Sequence, residues 1–318
     1  MALLDIQDRL YGGLFGLLIG DALGVPYEFH AAKDIPPAEF IEMEPPEGFN
    51  RAHSGVEPGT WSDDGAQALC LLDSLILCEK FDLDDFSRRM LGWYENGFWA
   101  VGKNVFDVGI QTSMALNMYK NGGKPEECGN VRPDGKGNGA LMRVLPLALW
   151  HKGTDEELVR DAQKQCLITH ANITNQVCCA LYCLIARELM NGNSFDVSLD
   201  SAVAKLRAVY KDRPEYSNEF ELSLKPEEPG FWKGSGSGYV VDSLRSAVMI
   251  MQTAETYEEA VKRSVALGDD TDTTACITGG LAGIKFGYNG IPERWKAFLR
   301  DSIKAEDLAK KLVSFRCA

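Results

Sequence analysis

An all-α fold is what this sequence predicts, and three observations carry the expectation. Apolar residues recur three and four positions apart in segment after segment, the spacing of a helix that buries one face. Alternating runs of β-branched residues, which an extensive sheet would need, are almost absent. The 318 residues are 45% hydrophobic and 25% charged, the balance of a folded globular chain with ample side chain to bury. One large helical domain over residues 1–318, with no internal repeat and no clear linker, is the expected architecture.

In chain order, the periodic segments fall at residues 3–23, 65–79, 83–94, 109–119, 139–150, 155–166, 174–190, 201–210, 239–252, 257–266, 273–286 and 305–315. The first carries glycines among its apolar residues, small enough for another helix to lie close. The second follows Ser62, a good N-cap, and brings Ala68, Leu69, Leu71 and Leu72 to one side. Near the end, the segment at 273–286 opens after a run of acids and hydroxyls, groups that suit a helix start. Between the helices lie irregular stretches at 30–60, 120–138 and 214–238, rich in Pro, Gly and acids. Loops this long in a helical domain are often functional.

Lys plus Arg number 33 against 46 Asp plus Glu, a net charge of −13. Such a surface repels a phosphate backbone, so neither nucleic acid nor an anionic membrane is an expected partner. A phosphate-bearing ligand would need a local positive device, such as a metal ion or a helix N-terminus. The cysteines, at 70, 78, 128, 166, 178, 179, 183, 276 and 317, form no CxxC pair and several sit in apolar helical stretches. They read as reduced thiols in a cytoplasmic protein, with no zinc site and no reason to expect a covalent dimer. Asp5 and Asp8 near the start argue against a secretory signal. The apolar stretch at 10–25 contains Gly12, Gly13, Gly16, Gly20, Asp21 and Gly24, which is not the composition of a membrane span.

Two acidic clusters point to chemistry. The first is Gly59-Thr60-Trp61-Ser62-Asp63-Asp64-Gly65 and the second Gly268-Asp269-Asp270-Thr271-Asp272-Thr273-Thr274. Helix capping alone accounts for some of these acids. The second cluster holds more carboxylates than one helix end can use, and like charges repel unless a cation intervenes. An all-oxygen set with no His or Cys nearby suits a hard ion such as Mg²⁺ or Mn²⁺ and not Zn²⁺. Carboxylates from two sources can hold two such ions over an oxygen-rich substrate.

Other candidates lie outside the clusters. Asp21 in an apolar helix needs a partner if buried. Glu28, just after Pro26, is placed to act as a carboxylate acid or base. The run Gly135-Lys136-Gly137-Asn138-Gly139-Ala140-Leu141-Met142-Arg143 could bring backbone N–H groups to a phosphate at the start of the next helix, although a plain turn is the commoner outcome. His170 lies by a helix start, where a capping or core role is the commoner one.

In order, the stretches GDALG…E (20–28), WSDDG (61–65), GNGALMR (137–143), THAN (169–172), SGYVVDSL (237–244) and GDDTDT (268–273) make the chain resemble the ADP-ribosylglycohydrolase family, over about residues 9–290. The resemblance implies an all-α orthogonal bundle with two divalent cations, Mg²⁺ or Mn²⁺, at the base of a cleft. It implies Ser62, Asp63 and Asp64 as metal ligands from one side and Asp270, Asp272 and Thr273 from the other, with Glu28 beside them. Glu28, Asp63 and Asp270 become the candidate catalytic residues. Asn138, Gly139 and Met142 would line the substrate cleft, His170 would lie near the distal ribose and phosphates, and Gly236 to Tyr239 towards the adenosine. Two departures from the family pattern stand out: Gly65 replaces a hydroxyl residue, and Asp269 replaces Gly or Asn. The implied activity is hydrolysis of the N-glycosidic bond between ADP-ribose and a protein arginine, with ADP-ribosylated protein or ADP-ribose as the partner. Cleavage of O-linked serine or ester ADP-ribose, or non-catalytic ADP-ribose binding, are the alternatives.

Overall fold

The computed structural model describes residues 4–225, 228 and 230–317, and the chain is 64% helical. Among the described residues the helices run α1 Ile6–Gly24, α2 Asp63–Cys78, α3 Leu83–Asn96, α4 Ile110–Lys120, α5 Pro125–Cys128, α6 Leu145–Trp150, α7 Asp155–Lys164, α8 Ile173–Met190, α9 Phe195–Val209, α10 Pro214–Glu219, α11 Val240–Met251, α12 Tyr257–Val265, α13 Thr271–Phe286, α14 Glu293–Phe298 and α15 Ser302–Cys317. Extended pairing among them is limited to two isolated bridges, Ala31 with Gly268 and Gly137 with Tyr239.

The helix α1 is the axis of the molecule, and its glycines explain why. A methyl group built on Gly12, Gly16 or Gly20 would lie 2.1, 2.4 or 2.1 Å from the carbonyl oxygen of Gly283, Gly279 or Ala275. As one number rises the other falls, so α13 lies antiparallel to α1 with backbone against backbone. The small residues at four-residue spacing form the strip along which the two helices touch. Gly24 continues it to the Cα of Asp272, and Thr271 Oγ1 donates to the Gly24 carbonyl at 2.8 Å. By length and composition the stretch from Ile6 to Tyr27 could cross a membrane, yet 94% of its apolar window is buried inside the fold. It is built as a core helix.

Around this pair, α8 is buried along nearly its whole length and packs against α6, α7, α9, α11 and α13. Tyr182 on α8 donates to the carbonyl of Ile277 on α13 at 2.8 Å. The helix α2 packs on α3, α6 and α15. All nine cysteines are free, and Cys70, Cys128, Cys166, Cys178, Cys179, Cys183 and Cys276 are buried as small apolar side chains.

Most boundaries agree with the periodicity to within a few residues, and two do not. The segment expected as a helix over 139–150 is helical only from Leu145; residues 139–143 form turns, and Pro146 stands in the first turn of α6, where its missing N–H costs nothing. The glycine-rich run therefore does not open a helix and offers no helix N-terminus to a ligand. The segment expected at 201–210 starts earlier, because Ser194 caps α9 by accepting from the Val197 amide. The stretch at 214–238, expected to be irregular, holds α10 and a π-turn over Phe220–Leu224.

Candidate active site

The C-terminal end of α1 and the N-terminal ends of α2 and α13 converge on one cleft of about 420 Å³. Asp21 organises its base. The carboxylate is fully buried and accepts from the backbone N–H of Ser62 at 2.9 and 3.1 Å and of Gly65 at 2.7 Å, which satisfies the partner that its apolar helix denies it. These bonds lock the start of α2 onto α1. A side chain at position 65 would meet Asp21 Oδ2 at 2.9 Å, so the glycine there is a consequence of the close approach.

With α2 fixed, Ser62 caps it, its oxygen accepting from the Asp64 amide at 3.3 Å, and Asp63 and Asp64 face the cleft. On the other side Asp270 and Thr273 line the same cleft, and Thr273 Oγ1 donates to Asp64 Oδ1 at 3.4 Å. The two acidic helix starts are therefore neighbours. Asp272 stands just behind, one oxygen accepting from the Thr273 amide at 2.8 Å. Glu28, Asp270 and Asp272 each offer an oxygen within 4.8 Å of the others.

The walls come from loops. Asn138 donates to Asp270 Oδ2 at 2.7 Å and to Ser243 Oγ at 2.9 Å, which fixes its place beside the acids. Gly139, Met142 and His170 complete that wall. Gly236 and Tyr239 do not line the cleft; Gly238, between them, does. Gly236 turns the chain at φ +81° and its carbonyl accepts from the Asp270 amide at 3.0 Å, while Tyr239 bridges to Gly137. Both therefore shape the cleft from behind. Ser62 likewise is held within the wall by its backbone bond to Asp21.

Behind Asp63 runs a buried polar chain. Gln67 Nε2 donates to Asp63 Oδ2 at 2.7 Å, and Arg143 donates to Gln67 Oε1 at 2.8 Å, to Gln165, and to Thr169 Oγ1 at 2.8 Å. Thr169 Oγ1 lies 2.8 Å from His170 Nδ1. Burial and the nearby Arg143 charge push the His170 imidazole down to about 3, so it is neutral at any physiological pH. The arginine of the GNGALMR run thus braces the acidic base and the histidine wall together.

Two titratable residues at the site were not singled out in the sequence. His53 Nε2 lies 2.6 Å from Glu28 Oε2 and 3.7 Å from Asp107 Oδ1, and Asp107 lines the cleft. Each is a lone residue in a long loop, without a cluster to announce it. Phe29, His53, Asp107 and Asp269 all hold left-handed backbone, φ +62, +48, +56 and +62°. Such strain gathers where a site dictates the backbone. At Asp269 it has a visible use: its amide donates to the His30 carbonyl at 2.7 Å and its carbonyl accepts from the Phe29 amide at 2.8 Å, clamping the Glu28 segment to the α13 loop. Gly, Asn and Asp tolerate this conformation best, so Asp269 keeps the geometry of the residues it replaces.

Burial drives the electrostatics. It pushes the Asp63, Asp64 and Asp272 carboxyls well above the ordinary carboxylate range, and repulsion among the neighbouring acids adds to it. Asp270 and Asp107 are raised mainly by burial, and Glu28 reaches about 7 despite its bond to His53. Asp64 Oδ2 and Asp272 Oδ2 are buried with no hydrogen-bond partner. Orphaned, mutually repelling carboxylate oxygens at and just behind one cleft are what a hard divalent cation would satisfy. Two groups of side chains could hold a metal ion here, Glu28 with Asp270 and Asp272, and Glu28 with His53 and Asp107.

An acidic cleft where three helix ends converge in an all-helical fold is a place where a metal ion and a polar ligand could be held together. The chain belongs to the ADP-ribosylglycohydrolase family, whose sequence profile matches residues 2–317. It is 29% identical over 307 residues to the ADP-ribosylarginine hydrolase Tri1 of Serratia proteamaculans, covering 96% of this chain and 79% of that one. It is 27% identical over 310 residues to the ADP-ribosyl-[dinitrogen reductase] glycohydrolase of Rhodospirillum rubrum, covering 95% and 94%. A solved structure titled ADP-ribosylglycohydrolase-related protein complex superposes with a TM-score of 0.78 at 29% identity, covering 98% of this chain and 99% of the other.

Proposed function

We infer that this chain removes ADP-ribose from modified protein side chains, cleaving the N-glycosidic bond to arginine with two divalent cations, Mg²⁺ or Mn²⁺, in the cleft. The observation that carries the reading is the pair of buried, partnerless oxygens on Asp64, which lines the cleft, and on Asp272, just behind it, from helix starts far apart in sequence. The names of the Serratia and Rhodospirillum relatives support the substrate class. Ser62, Asp63 and Asp64 from α2, with Asp270, Asp272 and Thr273 from α13, would hold the cations. When bound, these ions would fix ribose hydroxyls and position a water.

The protein side chains supply the rest. In the overall reaction the C1″–N bond breaks, its electron pair leaves with the guanidine nitrogen, a water oxygen bonds to C1″, and the water proton ends on the leaving guanidine. Glu28, held at the cleft by His53, is the carboxyl placed to relay that proton. Asn138, locked to Asp270 and Ser243, and Gly139, Met142 and His170 give the sugar and phosphates a fixed wall. Gly236 to Tyr239 shape the adenosine side through Gly238. The buried free thiols support a reducing, cytoplasmic setting for a protein acting as one domain.

The test is release of ADP-ribose from arginine-, serine- and ester-linked substrates with each metal and with EDTA. Metal-dependent release from the arginine linkage is expected, with none in an Asp270→Ala, Asp272→Ala double variant whose helical circular dichroism is unchanged. Release from serine or ester substrates alone would move the linkage. Binding without release would make the protein an ADP-ribose binder. Turnover retained in the double variant would refute the site.

A further inference from the structure

The helix α4 is apolar on two faces. Ala115 and Leu116 are buried against the fold, whereas Ile110, Met114 and Met118 are 81, 64 and 50% exposed. At a spacing of four they stand in one row along the outer surface. A surface helix ordinarily turns polar residues outward, and contiguous exposed apolar groups mark interaction sites. The row is anchored where it matters: Ile110 also lines the cleft, and Gln111 Nε2 next to it donates to the carbonyls of Gly135 and Thr169 at 3.4 and 3.1 Å. Exposed apolar groups thus begin at the mouth of the cavity that holds the carboxylates and run outward along α4.

We propose that this row is the docking surface for the protein that carries the ADP-ribosyl group, an inference that rests on the hydrolase reading above. A cleft of about 420 Å³ admits a nucleotide-sized group but no folded protein, so the modified protein must lie against the mouth. The α4 row is an apolar surface continuous with that mouth, and exposed Phe29 lines the mouth beside it. Two of its three members are methionines, whose flexible thioethers fit partner surfaces of varied shape. A second copy of this chain seated on the row would stand over Ile110 and obstruct the cleft, which argues for the substrate as the occupant.

The experiment compares two arginine-linked substrates, an ADP-ribosylated protein and ADP-ribosylated free arginine, using the full chain with Mg²⁺ or Mn²⁺. In a Met114→Asp, Met118→Asp variant the KM for the protein substrate should rise by about tenfold, the size of a lost interface anchor, with kcat held. The kcat/KM for the free arginine substrate should stay within about twofold, which also shows that the variant is folded. A Met114→Leu, Met118→Leu variant should restore the protein KM. Equal losses on both substrates, or no loss on either, would overturn docking alone. A wild-type dimer in sedimentation that the Asp variant dissolves would overturn it in favour of a self-interface. Failure of the wild type on both substrates would overturn the hydrolase reading and this proposal with it.

Discussion

The hydroxyl of Thr273 donates to the carboxylate of Asp64 at 3.4 Å across 209 residues of sequence. That contact joins the first turns of α13 and α2, and with them two sets of acids that repel each other. The fold holds this repulsion in place because α1 is bonded to both partners, to α2 through Asp21 and to α13 through the glycine strip.

Removing one of the charges should therefore stabilise the metal-free protein. In EDTA, Asp64→Asn is expected to melt a few degrees above wild type, because it deletes a buried carboxylate with an orphaned oxygen. Added Mn²⁺ should raise the wild-type melting temperature, by about 2.7 kcal/mol of stability at a hundredfold excess over Kd, and should do little for the variant. Thermal denaturation with and without metal reads both effects; a variant that melts lower in EDTA contradicts the account.

The strip between α1 and α13 leaves no room for one carbon. In Gly20→Ala the new methyl would stand 2.1 Å from the Ala275 carbonyl oxygen, a backbone atom that cannot swing aside. A loss of about 3 kcal/mol or more is expected from the forced separation. Urea denaturation measures it, and a loss below about 1 kcal/mol would mean that the helices are not this close.

Acid should loosen the segment that leads away from Glu28. Burial alone would raise the Glu42 carboxyl, but hydrogen bonds from Arg294, Trp295 and Lys262 outweigh it and hold the group below its ordinary 4.5. The stabilisation is complete above that value and is lost as pH falls through the lower folded-state value. Glu42 is about one-third exposed, so Glu42→Gln should cost about 1 kcal/mol at neutral pH. The gap to wild type should close as the pH is taken well below 4.5. A gap that stays constant with pH would show that charge plays no part.

Much of this site could be read in the chain because its acids come in runs. Asp63 and Asp64 are adjacent in sequence, Asp270 and Asp272 are separated only by Thr271, and both pairs sit at helix starts, where capping and periodicity locate them. Asp107 and His53 belong to the same cavity through left-handed turns in loops, and no periodic pattern encodes such turns. Of the run from Gly236 to Tyr239 only Gly238 reaches the cleft, because Gly236 is spent on turning the backbone and accepting from the Asp270 amide and Tyr239 bridges to Gly137. The early start given to α6 has a similar origin. Apolar spacing continues back through 139–144, while Pro146 and the turns ahead of it decide where the helix begins.

The antiparallel union of α1 and α13 has a consequence for the nascent chain. Its first helix leaves the ribosome early with a glycine-studded face that nothing covers until residues 271–286 follow. Every fragment ending before that point lacks the Asp270 and Asp272 half of the acidic basin. The acidic basin can therefore close only after α13 has been made and has packed on α1.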